Sequence, residues 1–129
     1  MLVITAKSAC AVRALAELAR RGSVPVPIGE IAASRNISAQ FLESLFVTLR
    51  RGGILQSQRG VKGGYSFGRP PDQVTVLEVV ELLDGPLGRD AEGVFAEAAR
   101  VAREVLAATS IADIIERERS EAGASMYHI

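Results

Sequence analysis

Gln40 and Glu43 are the side chains of this chain that could form the most specific hydrogen bonds. They lie three residues apart in a segment with helical apolar spacing, so both project from one side of the predicted helix. An amide can form two hydrogen bonds with an adenine edge, and a carboxylate can accept one from the amino group of cytosine. Two solvated helix residues would show the same pattern, so the surrounding sequence must decide between these interpretations.

The charge distribution favours a polyanionic partner. Residues 1–70 carry ten basic and three acidic groups, a net charge of +7, whereas residues 71–129 carry five and twelve, a net charge of −7. This asymmetry indicates a basic surface for nucleic acid, although two oppositely charged halves packed on each other would also produce it. The cations that we expect to contact phosphate are Lys7, Arg13, Arg50, Arg51, Arg59 and Lys62. Arg50 and Arg51 would equally suit the negative end of a helix.

Apolar spacing predicts three helices in the front half, at residues 5–21, 28–34 and 39–51. Asn36 suits a left-handed turn between the last two helices, and Ser38 is a favourable N-cap for the third. Two helices joined by a short turn form a helix-turn-helix pattern, in which the second helix addresses base edges. Ser38 and Ala39 are therefore predicted at the tip of the helix that carries Gln40 and Glu43.

A glycine-rich hairpin is predicted directly after these helices. Residues 54–58 and 65–68 favour two short strands, and the loop between them holds three glycines and two cations. A helix-turn-helix followed by such a hairpin is a winged helix. Arg59 and Lys62 would then lie on the wing, where an arginine can enter a minor groove. A hairpin turn that needs glycine and tolerates surface charge is the alternative.

The rear half predicts helices of a different kind. Thr75 to Glu78 has the pattern of a capping box that opens a helix, which Gly85 ends. A helix with a broad apolar face is predicted over residues 92–108, and a short one follows Ser110. Residues 121–129 show no periodicity and are expected to be mobile.

The predicted fold is mainly α with a small β wing. Residues 1–70 form the winged helix-turn-helix DNA-binding domain of this prediction. Residues 71–129 supply a second group of helices and a mobile C-terminal tail.

Enzymatic function is not expected. The chain has one histidine, His128, and one cysteine, Cys10, and no spacing of a nucleophile and a base. Cys10 lies on the apolar side of the first helix and is interpreted as a small core residue, with a redox role as the alternative. No apolar run approaches the ~20 residues of a membrane span, and no export signal is seen, so the expected location is the cytoplasm.

The motifs resemble those of one family. They are Thr5-Ala6-Lys7, Ala14 to Ala19, Ile28 to Ala32, Ile37-Ser38, Phe41-Leu42-Glu43, Leu49-Arg50 and Ser57 to Tyr65. This sequence is similar to the Rrf2 family of winged-helix transcriptional regulators, most densely over residues 1–85. The resemblance implies a homodimer that binds a pseudo-palindromic operator and is joined by the helix at 92–108, so residues 71–129 are the expected dimerisation and regulatory part. Repression of transcription is the expected effect, with activation as the alternative.

By this resemblance, Ser38, Gln40 and Glu43 belong to the base-reading helix and Arg59 to the wing. The chain departs from the family's pattern at Ala9, where an aromatic is common, and at Val61-Lys62, where Pro-Gly is usual.

The resemblance also bears on cofactors. Many members hold an iron–sulfur cluster through three cysteines beyond the wing, whereas residues 70–129 of this chain contain no cysteine. We therefore expect no cofactor, and the chain resembles the cluster-free, CymR-like branch of the family.

The resemblance to this branch also implies a protein partner. Its members are regulated by complex formation with cysteine synthase (O-acetylserine thiol-lyase), which captures C-termini that end in isoleucine. Tyr127, His128 and Ile129 resemble such a tail, although a chance isoleucine would look the same. Cysteine or sulfur metabolism is the implied target of regulation. An interaction protein that acts mainly through this tail, with DNA binding secondary, is the second class of function.

Overall fold

The computed structural model of the protein describes residues 4–126. Its helices are α1 (Ala6–Arg20), α2 (Ile28–Arg35), α3 (Ala39–Arg51), α4 (Val76–Asp84), α5 (Val94–Ala107) and α6 (Ile111–Met126), and its strands are β1 (Leu55–Gln58) and β2 (Gly64–Phe67). A single 3₁₀ turn at Pro71–Gln73 precedes α4. The predicted order of helices and strands is confirmed, including the hairpin directly after the third helix.

Local sequence signals set the ends of the helix-turn-helix as predicted. Asn36 ends α2 with φ 54° and ψ 48°, which is the left-handed conformation that asparagine tolerates. The Ser38 hydroxyl accepts a hydrogen bond from the Phe41 N–H at 3.3 Å and so caps α3. The turn between α2 and α3 is therefore fixed by two residues whose backbone and side-chain preferences both agree with it.

The hairpin is antiparallel, and Leu55 pairs with Phe67 at its base. A third segment extends it, because Val26 and Tyr65 exchange two backbone hydrogen bonds, each of 2.9 Å. Gly64 makes this close approach possible: its φ is +145°, and a Cβ there would lie 2.3 Å from the Val26 carbonyl group. The end of β2 nearest the wing turn is thereby anchored to the loop between α1 and α2.

One apolar core includes residues from both predicted domains. Leu15, Phe46 and Leu49 are fully buried in it, and so are Val74 and Ile111 from the rear half. Helices α4 and α6 both pack on α1. The rear half therefore supports the first helix of the front half directly.

Asp84 joins the end of α4 to the start of α1. Its carboxylate accepts hydrogen bonds from the Thr5 hydroxyl at 2.6 Å, the Thr5 N–H at 2.9 Å and the Ser8 hydroxyl at 2.6 Å. Burial raises the pKa of Asp84, but the hydrogen bonds from Ser8 and Thr5 outweigh it and the pKa is lowered overall. The ionised form is thus the one that holds the two helices together.

Two details of the rear half differ from the sequence prediction. The Thr75 hydroxyl caps α4 through the Glu78 N–H, but the Glu78 carboxylate pairs with Arg69 and does not complete the capping box. The last helix is not short, and the aperiodic tail was predicted to begin too early, because α6 continues to Met126. Glutamate, arginine and alanine after Ile115 favour a helix without any apolar periodicity. Among residues 4–126, no helix combines the length and the apolar character that crossing a bilayer requires.

Candidate nucleic-acid interface

Helix α3 divides into a buried face and an exposed face, as its periodicity predicted. Leu42, Leu45, Phe46 and Leu49 are buried, whereas the residues predicted to face DNA are exposed: Ser38 and Ala39 at the tip, and Gln40 and Glu43 behind it. The buried face fixes the helix against the core. The first two turns of α3 are thus free to approach a ligand.

Glu43 has a partner that the sequence did not reveal. The Tyr65 hydroxyl, on β2, donates a hydrogen bond to Glu43 Oε1 at 3.1 Å. The Tyr65 ring packs edge to face against Phe46, with 5.1 Å between ring centroids. Burial raises the pKa of Tyr65, and the hydrogen bond to the Glu43 carboxylate raises it further, so the hydroxyl keeps its proton. Twenty-two residues separate the pair, so sequence spacing carried no signal for it.

The cations of the front half fall into two groups. Arg20, Arg21, Arg35 and Arg69 form ion pairs with glutamates. Within residues 4–126, no ion pair is found for the six cations predicted to contact phosphate: Lys7, Arg13, Arg50, Arg51, Arg59 and Lys62. All six are exposed. Their charges are therefore not neutralised by the described part of the chain.

The two halves do contact each other through charges, but at other residues. Arg35 donates to both carboxylate oxygens of Glu118 on α6, at 2.7 and 2.9 Å, and to Glu17 on α1 at 3.1 Å. The hydrogen bond from Arg35 lowers the pKa of Glu118, so this carboxylate stays ionised. The interpretation that the acidic half packs on the basic one thus holds for Arg35, which was not among the predicted phosphate contacts.

Three of the six cations have defined surroundings. Arg50 donates to the Ser57 hydroxyl at 3.2 Å, which links the end of α3 to β1. Arg13 donates to the Arg35 carbonyl oxygen at 2.9 Å and so bridges α1 and α2. The positive charge of Lys7 contributes to lowering the pKa of Asp84. Arg50 is therefore held between the two parts of the interface, whereas Arg13 and Lys7 belong to the surroundings of α1.

The wing carries Arg59 and Lys62 on an exposed turn, with Val61 between Gly60 and Lys62 fully exposed at 105%. Gly63 is required there, because a Cβ would lie 2.2 Å from the Gln58 carbonyl oxygen. The turn thus presents two cations and one apolar side chain, and its backbone closes too tightly at position 63 for any residue but glycine.

Helix α5 leaves its apolar side uncovered in the single chain. Val94, Phe95, Val101 and Val105 expose 68%, 69%, 47% and 53% of their surface, and only Ala99 of this helix is buried. Val94, Ala98, Val101 and Val105 follow one another at intervals of four and three residues, which is the spacing of a helix-to-helix seam. We call these residues together with Phe95 the α5 face.

Among residues 4–126 no group of three or more histidine, cysteine, aspartate or glutamate side chains is arranged to hold a metal ion. Cys10, the one cysteine of the sequence, is half-buried and packs against the core cluster, as its interpretation as a core residue predicted. The predicted partner-binding residues Tyr127, His128 and Ile129 lie outside the described residues.

Comparison with known proteins decides the family. The model of the Rrf2 family, described as iron-dependent transcriptional regulators, matches residues 4–117. The chain belongs to the Rrf2 family. It is 31% identical to the HTH-type transcriptional regulator CymR of Bacillus subtilis, over 98% of this chain and 99% of that protein. It is 39% identical to a protein of Synechocystis named as an HTH-type transcriptional regulator, but that match spans 65% of this chain and only 58% of the relative.

Solved structures agree with this Rrf2 membership. The structure of B. subtilis CymR, named the global cysteine regulator of that organism, has a TM-score of 0.82 at 31% identity and covers 91% of this chain and 98% of its own. The structure of T. potens IscR has a TM-score of 0.79 at 30% identity, covering 91% and 88%. The winged-helix fold is thereby confirmed, and the chain is a transcriptional regulator of the CymR-like kind.

The family's description names iron, and the sequence lacks the thiolate set of an iron–sulfur cluster. Thiolate ligation of an iron–sulfur cluster needs several cysteines, and the sequence has only Cys10, whose side chain faces the core. The residues present therefore do not fit such a cluster.

Proposed function

We propose that this Rrf2-family chain binds double-stranded DNA sequence-specifically as a homodimer and represses transcription. The observation that supports DNA binding best is the division of its cations. Arg50 and Arg51 at the end of α3 and Arg59 and Lys62 on the wing are exposed and lack carboxylate partners within residues 4–126. Four other cations of the front half, Arg20, Arg21, Arg35 and Arg69, are paired with glutamates. Unneutralised cations release counterions when they meet phosphate, and this release drives association.

In this proposal α3 enters the major groove and the wing follows the neighbouring minor groove. Gln40 and Glu43 contact base edges, Ser38 and Ala39 approach the groove at the tip of the helix, and Arg59 enters the minor groove. An acid among cations weakens binding to every sequence through repulsion from phosphate, so Glu43 contributes to selectivity more than to affinity.

Fluorescence anisotropy with a promoter fragment tests this function. The logarithm of the binding constant should fall linearly with the logarithm of the salt concentration, with a slope that reflects several neutralised phosphates. Glu43→Ala should relax base preference more than it weakens binding. A purified protein that binds no promoter fragment at low ionic strength would contradict the proposal.

The α5 face supports the homodimer. Its residues are as apolar as a core and yet exposed, and a second copy of the same helix would cover them through the same spacing. A twofold dimer would place two copies of α3 on successive half-sites, which matches a pseudo-palindromic operator.

A second candidate function is binding to cysteine synthase, and through it control of cysteine or sulfur metabolism. Similarity to CymR, a protein named a global cysteine regulator, favours this choice of target. The docking residues Tyr127, His128 and Ile129 stay a prediction from the sequence. A gel-shift assay on a promoter fragment with and without cysteine synthase, repeated after removal of Ile129, separates this function from DNA binding alone.

A further inference from the structure

Tyr65 is held in one position by its backbone and its ring. Its N–H donates to the Val26 carbonyl and its carbonyl accepts from the Val26 N–H, each at 2.9 Å. Its ring lies edge to face on the fully buried ring of Phe46, at an interplanar angle of 75°. The residue is only 7% exposed. The hydroxyl at the end of this ring therefore has a fixed place relative to α3.

Glu43 is the opposite case, because it is an exposed residue on a helix surface. Such a side chain samples several rotamers, and ordering it when DNA binds costs conformational entropy. The hydrogen bond of 3.1 Å from the Tyr65 hydroxyl occupies Oε1. One rotamer is thereby favoured before any ligand arrives, and Oε2 stays available as an acceptor.

We propose that Tyr65 is a positioning residue for DNA specificity, whose hydroxyl holds Oε1 of Glu43 so that Oε2 is presented to a base edge. This inference rests on the proposed DNA-binding function and names one of its specificity determinants. A donor such as the cytosine amino group is accepted at this position. An acceptor such as guanine O6 or thymine O4 is rejected, because the held carboxylate cannot turn away from it.

The test is a binding selection from a library of operator fragments, read by sequencing the bound fraction. Tyr65→Phe removes the hydroxyl and keeps the ring on Phe46. Glu43→Ala should flatten one operator position and its symmetry mate. Tyr65→Phe should lower the preference at that same position by about threefold to tenfold, which is part of what one good base contact provides. Adding Tyr65→Phe to Glu43→Ala should change nothing further.

Ser66→Ala is the matched control. Ser66 follows Tyr65 on β2, is 8% exposed and bonds with Gln56, not with α3. Its removal deletes a buried hydroxyl from the same strand and should leave the base preference intact. A general loosening of the hairpin would affect the control and Tyr65→Phe alike.

A second measurement does not depend on a Tyr65 variant. The Glu43 carboxylate contributes to the raised pKa of Tyr65, so an NMR titration of labelled tyrosine should show a lower Tyr65 pKa in Glu43→Ala. Glu43 is exposed, so this variant retains the core. An unchanged Tyr65 pKa would show that the hydrogen bond is absent in solution and would overturn the inference.

The outcomes separate the two levels of the proposal. Tyr65→Phe with an unaltered preference, beside a flattened one in Glu43→Ala, overturns the role of Tyr65 and leaves DNA binding in place. Intact preference in Glu43→Ala overturns it as well, since there is then no contact to position. A wild-type protein that retains no library fragment refutes the proposed function itself, and the inference falls with it.

Discussion

Truncation of Phe95 to alanine should weaken the homodimer strongly. Phe95 exposes 69% of its surface in the single chain. Fully burying such a side chain contributes about 1.5–3 kcal/mol, so covering the exposed part contributes roughly 1–2 kcal/mol in each copy. A twofold interface contains the residue twice, so the loss should be roughly 2–4 kcal/mol, or about 30- to 700-fold in the dimer Kd.

Sedimentation equilibrium measures this change, and anisotropy with full and half operators measures its effect on DNA binding. Val105→Ala should act in the same direction, because Val105 lies on the α5 face and is 53% exposed. Val24→Ala is the matched control: it is the same change at a residue that is 67% exposed but lies outside α5. A Kd for Phe95→Ala within about threefold of the wild type would refute the reasoning, as would an equal loss in Val24→Ala.

Three further perturbations test other parts of the structure. Arg59→Ala should reduce the salt slope of DNA binding by about one, because one phosphate contact is lost. Arg21→Ala should leave the slope unchanged, because Arg21 pairs with glutamates. Equal slopes in the wild type and in both variants would argue against a DNA contact by the wing. Gly64→Ala should lower the free energy of unfolding by about 2–5 kcal/mol, because the new side chain is strained and overlaps Val26. This loss would appear as a lower denaturant midpoint. Gly29→Ala should instead stabilise the folded protein by about 0.4–1 kcal/mol, because there is open space around the new Cβ. The pKa of Asp84 in the folded chain lies below its ordinary value of 3.8. Its contribution to stability is therefore present above pH 3.8 and is lost as the pH falls through the folded pKa. Asp84→Asn should flatten the acid limb of a plot of stability against pH, and an unchanged limb would exclude a stabilising role for the hydrogen bonds of Asp84 to Thr5 and Ser8.

Local signals in the sequence were sufficient for most of the fold. Asn36 and Ser38 act on their own neighbours, through left-handed backbone and a side-chain cap, so their effect could be predicted without tertiary structure. The division of α3 into a buried and an exposed face followed from its helical periodicity alone. The extent of α6 was not predictable from apolar periodicity, because that pattern ends at Ile115. Intrinsic helix propensity continues the helix to Met126.

The amino-acid sequence by itself determined which residue types face outward on α3 and on the wing, since local spacing sets the orientation of a side chain on its own helix or strand. It also determined the absence of a thiolate set for a cluster, because one cysteine cannot supply it. Only the tertiary structure decided that Arg35 is neutralised, because it meets Glu118 across 83 residues. The same is true of the Tyr65–Glu43 pair, since folding alone brings β2 against α3.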